Sequence, residues 1–211
     1  MESIKFYEER KQVALFMKRL YDRHLTTASG GNISLRLNDD LFCITPSALD
    51  KGNLTPELIA VVNFDGTNLT PELPLSIETE MHKAILKARP DRSAVVHAHP
   101  TYACSFSTAA KCTLSTRLTA EAYYFLGDPV TVPYKLMGTK DLANIVGEYI
   151  KDHEVLLMEN HGAVAVGTTL LKAFDGMELL ERAAVMNIIS KQVEGSKLLN
   201  DEQIQDIIDM R

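Results

Sequence analysis

The residues best suited to chemistry in this 211-residue chain lie far apart in sequence. The run Val95-Val96-His97-Ala98-His99-Pro100 reads as a strand ended by proline. Residues two apart on a strand point the same way, so His97 and His99 should project side by side at its end. Such a pair can supply two imidazole nitrogens to one metal, although two ordinary hydrogen-bonded polar residues would read the same. His161, in Asn160-His161-Gly162, falls at a turn between two apolar runs, either solvated or presented into a cleft. Three imidazoles with one open position form a Lewis-acid site able to polarise a carbonyl or hydroxyl. His24, His82 and His153 sit in charged helical or loop contexts that suggest no role.

Glu78, in Ser76-Ile77-Glu78-Thr79-Glu80-Met81-His82, is a possible metal ligand or general base. Read by itself, however, the segment is good helix N-terminus chemistry, a serine followed by acidic residues favoured by capping and the helix dipole. Anion-holding loops are offered by Gly30-Gly31-Asn32 and by Thr45-Pro46-Ser47, through backbone N–H, hydroxyl and amide donors. Ser76 at the start of a helix adds a third such place.

The elements around these residues alternate. A helix is expected through Val13, Phe16, Met17, Leu20 and Tyr21, then strands at 33–37, 41–45 and 58–64. A helix at 76–88 precedes the histidine strand at 93–99, and the stretch up to Lys111 looks helical. A short strand at 130–132 is followed by a helix at 139–150 capped by Thr139 or Gly138. Strands at 155–158 and 163–166 flank Glu159-Asn160-His161-Gly162, a long helix spans 170–193, and a short helix ends the chain. With no repeat or linker, interleaved strands and helices imply an α/β class in one layered domain, residues 1–211.

Composition narrows the function. With 45% hydrophobic and 24% charged residues, the chain can bury a core without disulfides or a structural metal. A net charge of -6 disfavours nucleic acid or an anionic membrane surface as partner, while leaving room for a small anionic substrate. Cys43, Cys104 and Cys112 form no CxxC pair, and the charged stretch from Met1 to Lys11 does not read as a signal peptide. No apolar run approaches the roughly 20 residues of a membrane helix. The expected location is therefore cytoplasmic.

Taken in order, Ser29-Gly30-Gly31-Asn32-Ile33-Ser34, Ile44-Thr45-Pro46-Ser47, Ser76-Ile77-Glu78, Val95-Val96-His97-Ala98-His99 and Asn160-His161-Gly162 resemble the class II aldolase/adducin-head family. The match runs from about Arg10 to Val193. The resemblance implies an α/β/α sandwich with a central, largely antiparallel sheet, assembled as a homotetramer with sites at subunit interfaces. It implies that His97, His99 and His161 bind zinc or a similar divalent ion, and that Gly31, Asn32, Ser47 and Ser76 hold a substrate phosphate. It also makes Glu78 a catalytic acid/base, a role that calls for a carboxylate whose pKa its pocket raises.

The activity so implied is aldol cleavage of a ketose 1-phosphate, of the L-fuculose 1-phosphate kind, to dihydroxyacetone phosphate and an aldehyde. Alternatives on the same scaffold are an epimerase, a dehydratase, a decarboxylase or a non-catalytic adducin-like module. Three departures from the family pattern stand out. Ile77 replaces a serine and Ala48 a glycine of the phosphate pocket, and Leu198 to Arg211 lacks the tail tyrosine of the aldolases. Glu121, Tyr123 and Tyr124 are candidates for the tyrosine role that the family draws from a neighbouring subunit.

Overall fold

A computed structural model describes residues 4–193 and 195–210. Residues 1–3, part of the charged N-terminal stretch, together with 194 and 211, the remaining parts of the expected 1–211 domain, lie outside the described residues. Helix α1, Tyr7–Asp22, buries Val13, Phe16, Met17 and Leu20, the stripe expected from its helical spacing. The strands are β1, Asn32–Arg36; β2, Leu41–Ile44; β3, Ala60–Asn63; β4, Ala94–Ala98; β5, Val130–Val132; β6, Val155–Met158; and β7, Gly162–Gly167. Among the described residues they form a seven-stranded sheet in the order β3-β2-β1-β4-β7-β6-β5. Every pair is antiparallel except β5 with β6.

Alternation along the strands divides the core in two. Ile33, Cys43, Val61, Val96, Leu157 and Ala165 belong to one cluster, with residues of α1 and of α6, Leu170–Ser190. Helices α3, Thr101–Ser107, and α4, Ala120–Leu126, also contribute to that layer. Phe42, Ile44, Val62, Val95, Leu156 and Val164 face the other way, against α2, Thr79–Ala88, and α5, Lys140–Tyr149. The result is the expected α/β/α sandwich. A terminal helix, α7, Asp201–Asp209, closes on α4 through Tyr123, Ile204 and Ile207.

Several expected boundaries move. The strand anticipated at 58–64 is shortened because Pro56–Leu58 form a single tight 3-10 turn. The long helix ends at Ser190, and α3 stops at Ser107. Helix α4 was not anticipated; Thr119 caps it by accepting from the Ala122 N–H. The helix expected from Ser76 begins only at Thr79, so Ser76 lies in the approach to α2 and not at its cap.

Candidate active site

At one end of the sheet β1 begins, β4 ends and β7 begins. The register puts Asn32 opposite His97 and Ala98 opposite Ala163. His97 sits on the α2 side of β4, since its neighbours Val96 and Ala98 belong to the opposite core. It is fully buried, and its Nδ1 lies 2.9 Å from the Ala163 carbonyl of β7. Donation there fixes the ring, and in the neutral form it leaves Nε2 with a lone pair for a metal. His99 follows the strand, held by its N–H to the Leu25 carbonyl. His161 is carried by the β6–β7 turn, where Asn160 takes a left-handed conformation with φ 52°. Ring centroids lie 4.8 Å apart for His97 and His99, 5.0 Å for His97 and His161, and 5.9 Å for His99 and His161. Gly162 permits this crowding. A Cβ on it would meet His99 Cδ2 at 2.6 Å, the Ala98 carbonyl at 2.7 Å and His97 Cε1 at 3.0 Å.

The three histidines expected to converge do so. Each offers one ligand atom, and these atoms lie within 4.8 Å of one another, close enough to share a metal ion. Glu78 faces them, with Oε2 3.1 Å from His97 Nε2 and Oε1 2.9 Å from His161 Nε2. These contacts are close but poorly directed. His97 Nε2, Glu78 Oε1 and His161 Nδ1 are all buried without a well-formed hydrogen bond. Orphaned polar atoms of this kind, beside three imidazoles whose ligand atoms lie within 4.8 Å of one another, fit a divalent cation.

Asn32 holds Glu78 from behind. Its Nδ2 donates to Glu78 Oε2 at 2.8 Å and to Ser76 Oγ at 3.1 Å. The amide is fixed in turn by His82 on α2, whose Nε2 contacts Asn32 Oδ1 while Ser34 Oγ lies 2.7 Å from its Nδ1. Complementary polarity assigns the directions: Ser34 donates to Nδ1, and Nε2–H donates to the amide oxygen. Burial, with the positive charge of His97, pushes His82 down to about 3, so it is neutral in this chain of bonds. The sequence reading gave His82 no role. The available signal was spacing, because His82 lies one helical turn after Glu78 and on the stripe of Ile85 and Leu86.

Glu78 occupies the cap position of α2 without a side-chain cap hydrogen bond. One expectation about it is corrected: its pKa is not raised. Burial acts in that direction but is outweighed by the charge of His97 and by contacts from His161, His97 and Asn32, which hold the carboxylate well below its usual range. The carboxylate is therefore ionised in this arrangement. Burial pushes His97 downward, but the adjacent Glu78 carboxylate more than restores it, so its pKa is raised. Burial and the two neighbouring histidines push His99 down to about 4.

Gly31, Asn32, Ser47 and Ser76 line the same cavity of about 410 Å³, with Glu78, His99 and His161. Ser76 Oγ accepts from Asn32 and from the Glu78 N–H at 3.3 Å, leaving its own proton free to donate. Gly31 has φ 65°, and a Cβ there would strike the His97 carbonyl at 2.8 Å. Ala48 keeps a left-handed backbone, φ 59°, so the turn that a glycine would favour is present without one. Glu121, Tyr123 and Tyr124 do not line this cavity. Tyr123 is buried against α7, and Glu121 is exposed on α4.

Residues 11–188 match the family model for the class II aldolase and adducin N-terminal domain. An L-fuculose phosphate aldolase of Methanococcus vannielii is 39% identical over 170 residues, covering 81% of this chain and 90% of the relative. A 3-oxo-tetronate 4-phosphate decarboxylase of Escherichia coli K12 is 32% identical over 183 residues, 85% of this chain and 86% of the relative. The crystal structure of YgbL from Escherichia coli superposes with a TM-score of 0.88 at 28% identity, covering 95% of this chain and 98% of the other. Since the family model covers residues 11–188, most of its length, this chain belongs to the class II aldolase and adducin N-terminal domain family.

Proposed function

We propose that the protein is a divalent-metal-dependent aldolase that cleaves a ketose 1-phosphate to dihydroxyacetone phosphate and an aldehyde. The observation that carries this reading is the convergence of His97, His99 and His161, two of them touching the Glu78 carboxylate, beside a cavity lined by hydroxyl and amide donors. His97, His99 and His161 would hold the ion, zinc being the simplest choice for an all-imidazole set. Such an ion supplies positive charge where negative charge builds on the substrate's carbonyl oxygen.

The remaining steps fall to the chain's own groups. Ser47, Ser76 and the Gly31–Asn32 backbone anchor the phosphate, so that C3 and C4 of the sugar lie before Glu78. When the C3–C4 bond breaks, its electron pair moves towards the C2 carbonyl, and the C4 hydroxyl loses its proton as the aldehyde forms. A proton is then delivered to C3, completing dihydroxyacetone phosphate. Glu78, held by Asn32, is placed to take up a proton from the medium and pass it to C3 and, in the synthetic direction, to remove it. We further propose a cytoplasmic homotetramer with the site at a subunit boundary. The exposed side chains of Ile77 and Met137, both lining the cavity, support a covered surface there.

A second reading, decarboxylation of a 3-oxo acid phosphate, draws on the decarboxylase relative. It uses the same electron sink, with carbon dioxide leaving in place of an aldehyde. Ketose 1-phosphates, ketose 5-phosphates and 3-oxo-tetronate 4-phosphate, offered to the metal-loaded protein, separate the two. Release of dihydroxyacetone phosphate from a ketose 1-phosphate is the expected result. Carbon dioxide release alone would replace the aldolase reading with the decarboxylase one. Silence from all three, with less than stoichiometric metal, would leave a binding module.

A further inference from the structure

The cavity contains one feature that neither the histidine cluster nor the neutral donors explain. Lys51 is 2% exposed yet lines the cavity beside Ser47, Ala48 and Ser76. Among the described lining residues it is the only lysine or arginine. Its Nζ donates to the Pro46 carbonyl. An ammonium has three donors, so two remain. Among the described residues no carboxylate reaches it at ion-pair distance, and Glu78 acts on it only as a more distant charge. Burial outweighs that attraction and pushes Lys51 down to about 8, the behaviour of a cation short of compensating charge.

Its backbone is well anchored. The Lys51 N–H donates to the Ala28 carbonyl at 2.9 Å, and the Ser47 N–H to the Pro74 carbonyl at 3.2 Å. The loop carrying Lys51 is thus tied to the Gly30-Gly31 loop and to the Ser76 approach, the two other walls of the cavity. A phosphate monoester entering here also meets the negative Glu78, and Ala48 and Ile77 present no side-chain donor. Hydroxyls and amides can orient a dianion but cannot neutralise it.

We propose that Lys51 is the counter-charge for the substrate's phosphate group, its two free ammonium donors directed to phosphate oxygens. The inference rests on the sugar-phosphate reading of the site and specifies an anionic monoester as the ligand class. A lysine serving only to staple the Pro46 turn would affect every ligand alike, and that difference is measurable.

The test uses calorimetric binding to the metal-loaded protein with inorganic phosphate, dihydroxyacetone phosphate and unphosphorylated dihydroxyacetone as probes. Lys51→Met should weaken phosphate and dihydroxyacetone phosphate by about 10- to 100-fold, the worth of a charge-assisted bond, and leave dihydroxyacetone unchanged. Lys51→Arg should retain most of the phosphate affinity. Unchanged phosphate affinity in Lys51→Met, or an equal loss for dihydroxyacetone, overturns the proposal. Should Lys51→Met fail to fold, the unmodified protein labelled at lysine Cε gives the answer by NMR. The resonance missing from Lys51→Arg must move when phosphate is added, and a stationary signal overturns the proposal equally. If the unmodified protein binds neither phosphate nor dihydroxyacetone phosphate, the sugar-phosphate reading falls together with this one.

Discussion

Asn32 has two jobs that only one amide orientation satisfies: its oxygen accepts from His82 and its nitrogen donates to Glu78 and Ser76. Because the donor side of the amide faces Glu78, the site is built for a carboxylate acceptor. Glu78→Gln would put an amide in its place, with a nitrogen or an oxygen towards Asn32 and no charge. We expect metal content, measured by elemental analysis, to stay at the level of the unmodified protein while turnover drops about 10²- to 10⁴-fold, the usual share of a general base. Loss of the metal instead would make Glu78 a ligand. His82 is testable separately through pH. Its folded pKa, pushed down to about 3 from an ordinary 6.5, means that the unfolded chain binds a proton between those values while the folded one does not. Stability should therefore be full above pH 6.5 and fall as the medium is acidified towards pH 3. His82→Gln can keep both hydrogen bonds without titrating, so its urea midpoint should decline less steeply on acidification than that of the unmodified protein. Parallel declines would remove His82 from the acid response.

Among the elements, the turns do the positioning, and two substitutions probe them. Gly162→Ala places a methyl group against both His97 and His99, where neither strand backbone nor buried ring can yield cheaply. Overpacking of this kind costs about 1–3 kcal/mol. The expected result is a folded protein with a lowered melting temperature that no longer retains metal; full metal content would show that the histidines can shift. Ala48→Gly should do the opposite of a usual Ala→Gly change. Relief of the left-handed strain, about 1–2 kcal/mol, offsets the extra freedom of the unfolded glycine, so the melting temperature should hold or rise. How far such features could be read from sequence depended on how local their causes are. The His97-Ala98-His99 pair was legible because strand period and a proline stop are local facts. His161 was legible only as a turn residue, since its convergence with the pair depends on β7 lying beside β4. The start of α2 was misjudged because Ser76, the residue expected to open it, is bound in the approach by Asn32 of β1, distant in sequence. Helix α4 escaped because Tyr123, Tyr124 and Phe125 in succession show no helical period; its packing is supplied by α6 and α7.

On the scale of the whole molecule, the proposed reaction asks for a second proton carrier, one for the C4 hydroxyl, beside Glu78. Glu78, His99 and His161 line one wall of the cavity, and none of Glu121, Tyr123 or Tyr124 is among its described lining residues. Tyr124 instead borders a separate cavity of about 390 Å³ with Arg92, Glu154 and Lys172, at the end of the sheet where β7 finishes and β6 starts. A helix at the far end of the same sheet can serve the site only from another copy, brought round by cyclic symmetry. Complementation tests this directly. His99→Ala removes the metal wall, and a Glu121→Gln/Tyr124→Phe double variant alters α4 without touching that wall. Each assembly should be nearly inactive when pure. Mixed one to one and allowed to exchange subunits, they generate some sites with an intact metal wall and an intact neighbouring α4, about one quarter of the total for random mixing. Recovered turnover near that fraction would assign the second wall to a neighbouring subunit. A double variant that is fully active alone would remove α4 from the reaction. A mixture no better than its components, with exchange verified by native mass spectrometry, would confine the whole reaction to one chain and leave the proton at C4 to water.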